Sequence, residues 1–118
     1  MSQFRFEELE IWKLAIEVGD KLFDISDHLY DKHFYRFSEQ LKGASMSIAN
    51  NIAEGSGSNS NKEFAHYINL AHRSTFECAN IITILLNRKI IDVKTKDSIF
   101  IDLETLSKKL TSFRKSLK

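Results

Sequence analysis

No proline interrupts the 118 residues, and only four glycines occur among them. Proline fixes φ and removes a backbone donor, and glycine reaches turn conformations that other residues avoid, so both mark places where a chain reverses. A β-sandwich or barrel needs many such reversals; a few long helices need almost none. An all-α fold is therefore expected. With 42% hydrophobic and 28% charged residues the composition is that of an ordinary globular chain, long enough for one core. A single domain over 1–118 is expected, with no internal repeat. One cysteine excludes an intramolecular disulfide framework and a Cys-rich zinc site. No apolar run approaches the length of a membrane span. Met1–Arg5 shows no apolar leader, and the expected compartment is the cytoplasm.

Apolar residues recur at helical spacing in four segments. In the first, from about Glu7 to Tyr30, two stripes emerge at roughly 100° per residue. Leu9, Trp12, Ile16, Phe23 and Tyr30 form one; Ile11, Ala15, Val18, Leu22, Ile25 and Leu29 form the other. Two stripes imply burial on two sides. Left in solvent, Trp12, Phe23 and Tyr30 would make a large apolar patch, so they are candidates for an oligomer interface. The sequence alone does not say which stripe faces the core.

The second segment, from about Tyr35 to Glu54, carries Phe37, Leu41, Ala44, Ile48 and Ile52, and Gly55 follows in the place of a left-handed cap. Gly55-Ser56-Gly57-Ser58-Asn59 reads as a linker. The third opens at Ser60, where Ser60-Asn61-Lys62-Glu63 has the form of a capping box, and ends near Arg88-Lys89. The fourth begins near Thr95, with Thr95 or Ser98 as N-cap, and follows the seam Ile99, Leu103, Leu106, Leu110, Phe113 and Leu117. Short loops between long helices force antiparallel neighbours. The expected architecture is an antiparallel up-down-up-down four-helix bundle.

The formal net charge of +1 excludes a globally basic nucleic-acid binder. The distribution is uneven. Residues 1–31 hold eight acids and three bases, net −5; residues 105–118 hold five bases and no acid, net +5. The two ends either attract one another within the bundle or leave a basic strip for phosphates. Lys108, Lys109, Arg114, Lys115 and Lys118 are the candidates for contact with RNA or DNA. Four of the five are lysines off the leucine seam, and no aromatic side chain is interleaved for base stacking.

Gln40-Leu41-Lys42, Ser47-Ile48 and the run Asn51-Ile52-Ala53-Glu54-Gly55 resemble the signature of the four-helix-bundle proteins encoded in bacterial 23S ribosomal RNA intervening sequences. Lys62-Glu63-Phe64, Ala71, Ser74 and Glu77 resemble that family's third helix, and Phe6, Leu9 and Trp12 its opening. The resemblance covers nearly the whole chain. Gly43 stands where an arginine is common, and His72-Arg73 where Lys-Gly is typical. The resemblance implies a homo-oligomer, specifically a pentameric ring. It also implies kinship with the basic accessory variability proteins of retroelements, which bind nucleic acid and a reverse transcriptase. The family it points to has no settled biochemical activity.

Ser47, Asn51 and Glu54, spaced four and three apart, line one edge of the second helix; Ser74 and Glu77 hold a similar edge on the third. Polar groups at a buried edge need partners. Either these five residues form a structural network that sets loop geometry and helix register, or they bound a small anion or nucleotide site. No catalytic residue is assigned, because no nucleophile or base stands in reach of Glu54. A di-iron bundle needs two Glu-x-x-His motifs, and Glu63-Phe64-Ala65-His66 is the one match, so no metal and no cofactor is expected. Cys78 lies in an apolar stripe and reads as a small hydrophobe. His72 is expected to partner a carboxylate. Gly55-Ser56-Gly57 before a helix start is a weak phosphate motif, without the Gly-Lys-Ser/Thr of a P-loop. Two classes of function remain: a non-enzymatic homo-oligomeric scaffold that binds RNA, DNA or a partner protein, and a small-molecule-binding or enzymatic bundle built on the polar network.

Overall fold

The computed structural model describes residues 4–118; Met1, Ser2 and Gln3, part of the opening expected to be without an apolar leader, lie outside them. A 3-10 turn at Arg5–Glu8 precedes four helices: α1 (Glu10–Asp31), α2 (Tyr35–Ser56), α3 (Asn61–Asn87) and α4 (Val93–Ser116). Each helix packs on its sequence neighbours, α4 closes back onto α1, and no diagonal pair brings its Cα atoms within 8 Å among the described residues. The result is the expected antiparallel bundle, 44 × 26 × 21 Å, with the four helix axes at the corners of a square.

The core runs the length of this square. On α1 it takes Ile11, Ala15, Val18, Leu22 and Leu29, which decides between the two stripes. The other stripe lies along the α2 edge: Trp12 and Phe23 are half-buried, and Tyr30 is 56% exposed. Ser26, wholly buried inside the core stripe, donates to the Leu22 carbonyl at 2.9 Å, and its own carbonyl accepts from Ser38 Oγ of α2 at 2.8 Å. From α4 the seam contributes Ile99, Leu103, Leu106 and Leu110, with Phe113 and Leu117 packed against it. No described helix is long and apolar enough to cross a membrane.

Three boundaries differ from expectation. The first helix does not start at Glu7: Leu9 is extended (φ −79°, ψ 127°), and the preceding 3-10 turn sets Phe6 against Trp12 at 5.0 Å. Neither Thr95 nor Ser98 caps α4. Asp92 does, accepting from the Thr95 N–H at 2.8 Å. Asp is among the strongest N-caps, and the Thr95 side chain and amide together hold the Asp92 carboxyl below its ordinary range. Finally, α2 does not stop before Gly55, and Gly55 is not a left-handed cap. The helix continues to Ser56, no glycine among the described residues has positive φ, and the C-cap is Gly57 at φ −84°.

Left-handed residues do terminate two other helices. His33 (φ 70°) follows α1 and Lys89 (φ 61°) follows α3. In each case the next amide returns to the carbonyl five residues back, Phe34 to Leu29 and Ile90 to Leu85, both at 2.9 Å. This is a Schellman closure. At the start of α3 the Ser60 hydroxyl accepts from the Glu63 N–H at 3.1 Å, the half of the capping box that forms.

Candidate functional site

The polar edge of α2 meets that of α3 at mid-height. Ser47 Oγ and Ser74 Oγ lie 2.9 Å apart across the helix pair. Asn51 Nδ2 donates to the Ser47 carbonyl at 2.8 Å and to Ser47 Oγ at 3.1 Å, and Ser74 Oγ also reaches the Leu70 carbonyl at 3.2 Å. Three of the five expected residues therefore form a chain of hydrogen bonds that ties α2 to α3. Glu54 and Glu77 do not join it. Both are exposed, and their carboxylates are without a hydrogen bond or ion pair among the described residues. Glu77 is rotated about 60° from Ser74 around the helix, and Glu54 lies two turns beyond the crossing. The two glutamates therefore stand apart from the hydrogen-bonded chain of Ser47, Asn51 and Ser74.

Asn51→Leu removes a donor that two acceptors use. It is expected to lower unfolding free energy by about 1 to 3 kcal/mol, whereas Glu54→Leu stays within about 0.5 kcal/mol. Urea denaturation of both variants checks this; equal losses would contradict the assignment.

Below the crossing, the last residue of the Asn-Ile-Ala-Glu-Gly run has a different role. Gly55 is buried, and a Cβ built on it would stand 2.7 Å from Tyr67 Cβ and 2.8 Å from Phe64 Cδ1. The glycine is a point of close approach between α2 and α3. Phe64 is 1% exposed, meets Phe113 of α4 edge-on at 5.3 Å, and carries the Arg5 guanidinium over its face at 4.9 Å. One end of the bundle is closed by this cluster. The Gly-Ser linker is thus shorter than expected, since Gly55 and Ser56 are buried helix, with Ser56 Oγ donating to the Ala53 carbonyl at 2.7 Å.

His72 finds a hydroxyl, not the expected carboxylate: Ser107 Oγ of α4 lies 2.9 Å from its Nε2. A signal for this pairing exists in the sequence, as Ser107 is a small polar residue flanking Leu103, Leu106 and Leu110. Cys78 is wholly buried, and burial pushes its thiol up to about 12, which leaves it protonated and unreactive at neutral pH. Among the described residues no three His, Cys, Asp or Glu side chains gather as a metal site, and His66 is exposed beside Tyr67.

Lys108, Lys109, Arg114, Lys115 and Lys118 are all exposed. None forms an ion pair among the described residues. Arg114 donates to Asn69 Oδ1 at 3.3 Å, and the Lys118 carbonyl accepts from Asn61 Nδ2 at 3.3 Å. The expected attraction between an acidic α1 and a basic α4 is not what joins them. Their one ion pair among the described residues runs the other way, Lys21 of α1 to Asp102 of α4 at 2.7 Å. The bond to Asp102 raises the Lys21 ammonium above its ordinary value.

The family model described as 23S rRNA-intervening sequence protein matches residues 7–112. The chain belongs to that family. The match spans all four helices except the last residues of α4, so membership rests on the whole bundle and not on one motif. No curated protein matches the sequence. Among solved structures, a protein of unknown function from the S23 ribosomal protein family of Bacteroides thetaiotaomicron VPI-5482 is similar, with a TM-score of 0.84 and 22% identity. The similarity covers 89% of this chain and 98% of that one, and it is a similarity of fold. Neither comparison indicates a catalytic family.

Proposed function

We propose that this intervening-sequence family protein is a non-enzymatic, homo-oligomeric scaffold, pentameric as the family resemblance implies, that holds the phosphates of RNA or DNA on its C-terminal helices. The observation that carries the reading is the C-terminal strip: five exposed cations within fourteen residues, no acid among them and no ion pair within the described protomer. Unpaired cations on a rigid helix contact phosphates without reading sequence. Repetition in an oligomer turns weak single contacts into avidity. A non-enzymatic role is supported by the polar network, whose hydrogen bonds are spent between helices, and by the two outward-facing, separated glutamates.

Binding of fluorescent single-stranded RNA and duplex DNA, followed by anisotropy at rising salt, tests the proposal. Affinity is expected to be independent of sequence and to fall steeply with salt. Undetectable binding at low salt overturns the nucleic-acid part and leaves a scaffold for a protein partner.

A further inference from the structure

The groove between α3 and α4 carries cations at one end and an exposed aromatic ring at the other. Toward the end of α4, Thr111, Arg114, Lys115 and Lys118 line a hollow that meets α3 at Ala65. Farther along, a second hollow of about 310 Å³ is lined by Phe76, Ala79, Phe100 and Leu103, with Glu104 and Lys108 as its charged groups. Ala65, Asn69, His72 and Phe76 follow one another at four, three and four residues, so they share one face of α3. The span from Ala65 to Phe76 is three helical turns, about 16 Å. Between the two hollows Arg114 donates to Asn69 Oδ1 at 3.3 Å, and Ser107 Oγ meets His72 Nε2 at 2.9 Å. Both hollows are therefore parts of one groove.

Phe76 is 63% exposed, and it is held without being covered. The His72 ring packs against it at 5.2 Å, and the bond to Ser107 fixes the His72 imidazole. Phe100 is half-buried and already carries the Lys96 ammonium 4.4 Å from its ring centroid. Phe76 thus offers the open π face of the groove. Charge decides what each hollow takes. Around Phe76 the hydroxyls of Thr75 and Ser107 are spent on His72, and Glu104 offsets Lys108, so the place suits a neutral flat ring and not a phosphate. The neighbouring hollow has three cations and no acid, and suits phosphate. Neutral rings on a charged backbone are the make-up of a nucleic acid. In a duplex the rings stack on one another, whereas in a single strand they are open to an aromatic side chain.

We infer that an unpaired base of a single-stranded nucleic acid stacks on Phe76, while the adjoining phosphates follow Lys108, Arg114, Lys115 and Lys118 along the groove. The inference rests on the phosphate-binding strip proposed above and names the form of nucleic acid that the strip takes, single strand in preference to duplex. Every base has a π face, so the preference for single strand comes without a preference for sequence. The ring belongs to α3 and the cations to α4. Only the packing of the two helices brings them into one groove, and the sequence of α4 by itself shows no aromatic partner for its lysines.

The experiment follows the anisotropy of three fluorescent probes of equal length: an oligothymidylate, an abasic single strand and a DNA duplex. Each is titrated with the wild type, Phe76→Ala and Phe76→Tyr, after circular dichroism and light scattering have compared the helices and native mass of the three proteins. The wild type is expected to bind oligothymidylate more tightly than the abasic strand. Phe76→Ala is expected to weaken oligothymidylate binding about 5- to 100-fold, the loss of one stacked base. Its salt slope stays that of the wild type, because stacking releases no counterion. Its affinities for the abasic strand and the duplex are expected to be unchanged, and Phe76→Tyr is expected to keep the wild-type affinity for all three probes. Equal oligothymidylate affinity for the wild type and Phe76→Ala, an equal loss on all three probes, or a wild type that binds the abasic strand as tightly as oligothymidylate overturns the stacking and leaves the cationic strip standing. A lower native mass for Phe76→Ala assigns the ring to a contact between copies and likewise overturns it. Undetectable binding of every probe at low salt overturns the strip and the stacking together.

Discussion

Replacing Gly55 with alanine is expected to destabilise the protein, whereas the same change at Gly43, three turns earlier in α2, is expected to stabilise it. Both glycines are helical, so both substitutions gain the same backbone term, about 1 kcal/mol in favour of alanine. They differ in what the methyl group meets. Nothing lies within 4 Å of a Cβ at Gly43, while at Gly55 the methyl would collide with Tyr67 Cβ and the Phe64 ring. Tyr67 Cβ is fixed to the α3 backbone and cannot rotate aside, so α3 must move or Phe64 must leave its rotamer. Overpacking of this kind costs about 1 to 3 kcal/mol, enough to outweigh the helical gain. Urea midpoints that rise for Gly43→Ala and fall for Gly55→Ala are the expected result. A rise in both would show that the helices separate freely at that level.

The same cluster predicts the largest single loss. Phe64→Ala empties a site bounded by Gly55, Phe113 and the Arg5 guanidinium. Three elements meet there, and none can fill the void alone. The expected cost is about 3 to 5 kcal/mol, and a fall in Tm of more than about 10 °C in a thermal melt. A loss below about 1 kcal/mol would mean that this end of the bundle collapses around the cavity and is not held by the ring.

These two residues also mark where sequence pattern ceases to be informative. The architecture is legible because periodicity depends on one dimension only: the leucine seam of α4 and the Ile11–Leu29 stripe of α1 turn inward as spaced. Gly55 is easily misplaced because a glycine near a helix end has two uses. A left-handed cap and a close helix approach look identical in sequence, and only the position of Tyr67 across the gap separates them. The start of α4 escapes the pattern for a related reason. Thr95, Ser98 and Asp92 are all acceptable caps, and only the bond from the Thr95 N–H to the Asp92 carboxylate separates them.

Of the candidate site, the Ser47–Asn51–Ser74 chain is legible as a polar edge needing partners. The exclusion of Glu54 and Glu77 is not, because it depends on the height and rotation at which α2 crosses α3.

The central claim is that this bundle acts through unpaired cations on α4 and not through chemistry between its helices. The most direct test is the salt dependence of duplex DNA binding for the wild type and for a Lys109→Ser/Arg114→Ser/Lys115→Ser variant, whose circular dichroism and native mass are first shown to be unchanged. Each neutralised phosphate contributes a slope of about −0.9 in log K against log salt. The variant is expected to bind more weakly, with a slope shallower by about 0.9 for every phosphate it no longer neutralises. Identical affinities and slopes for the two proteins would contradict the claim.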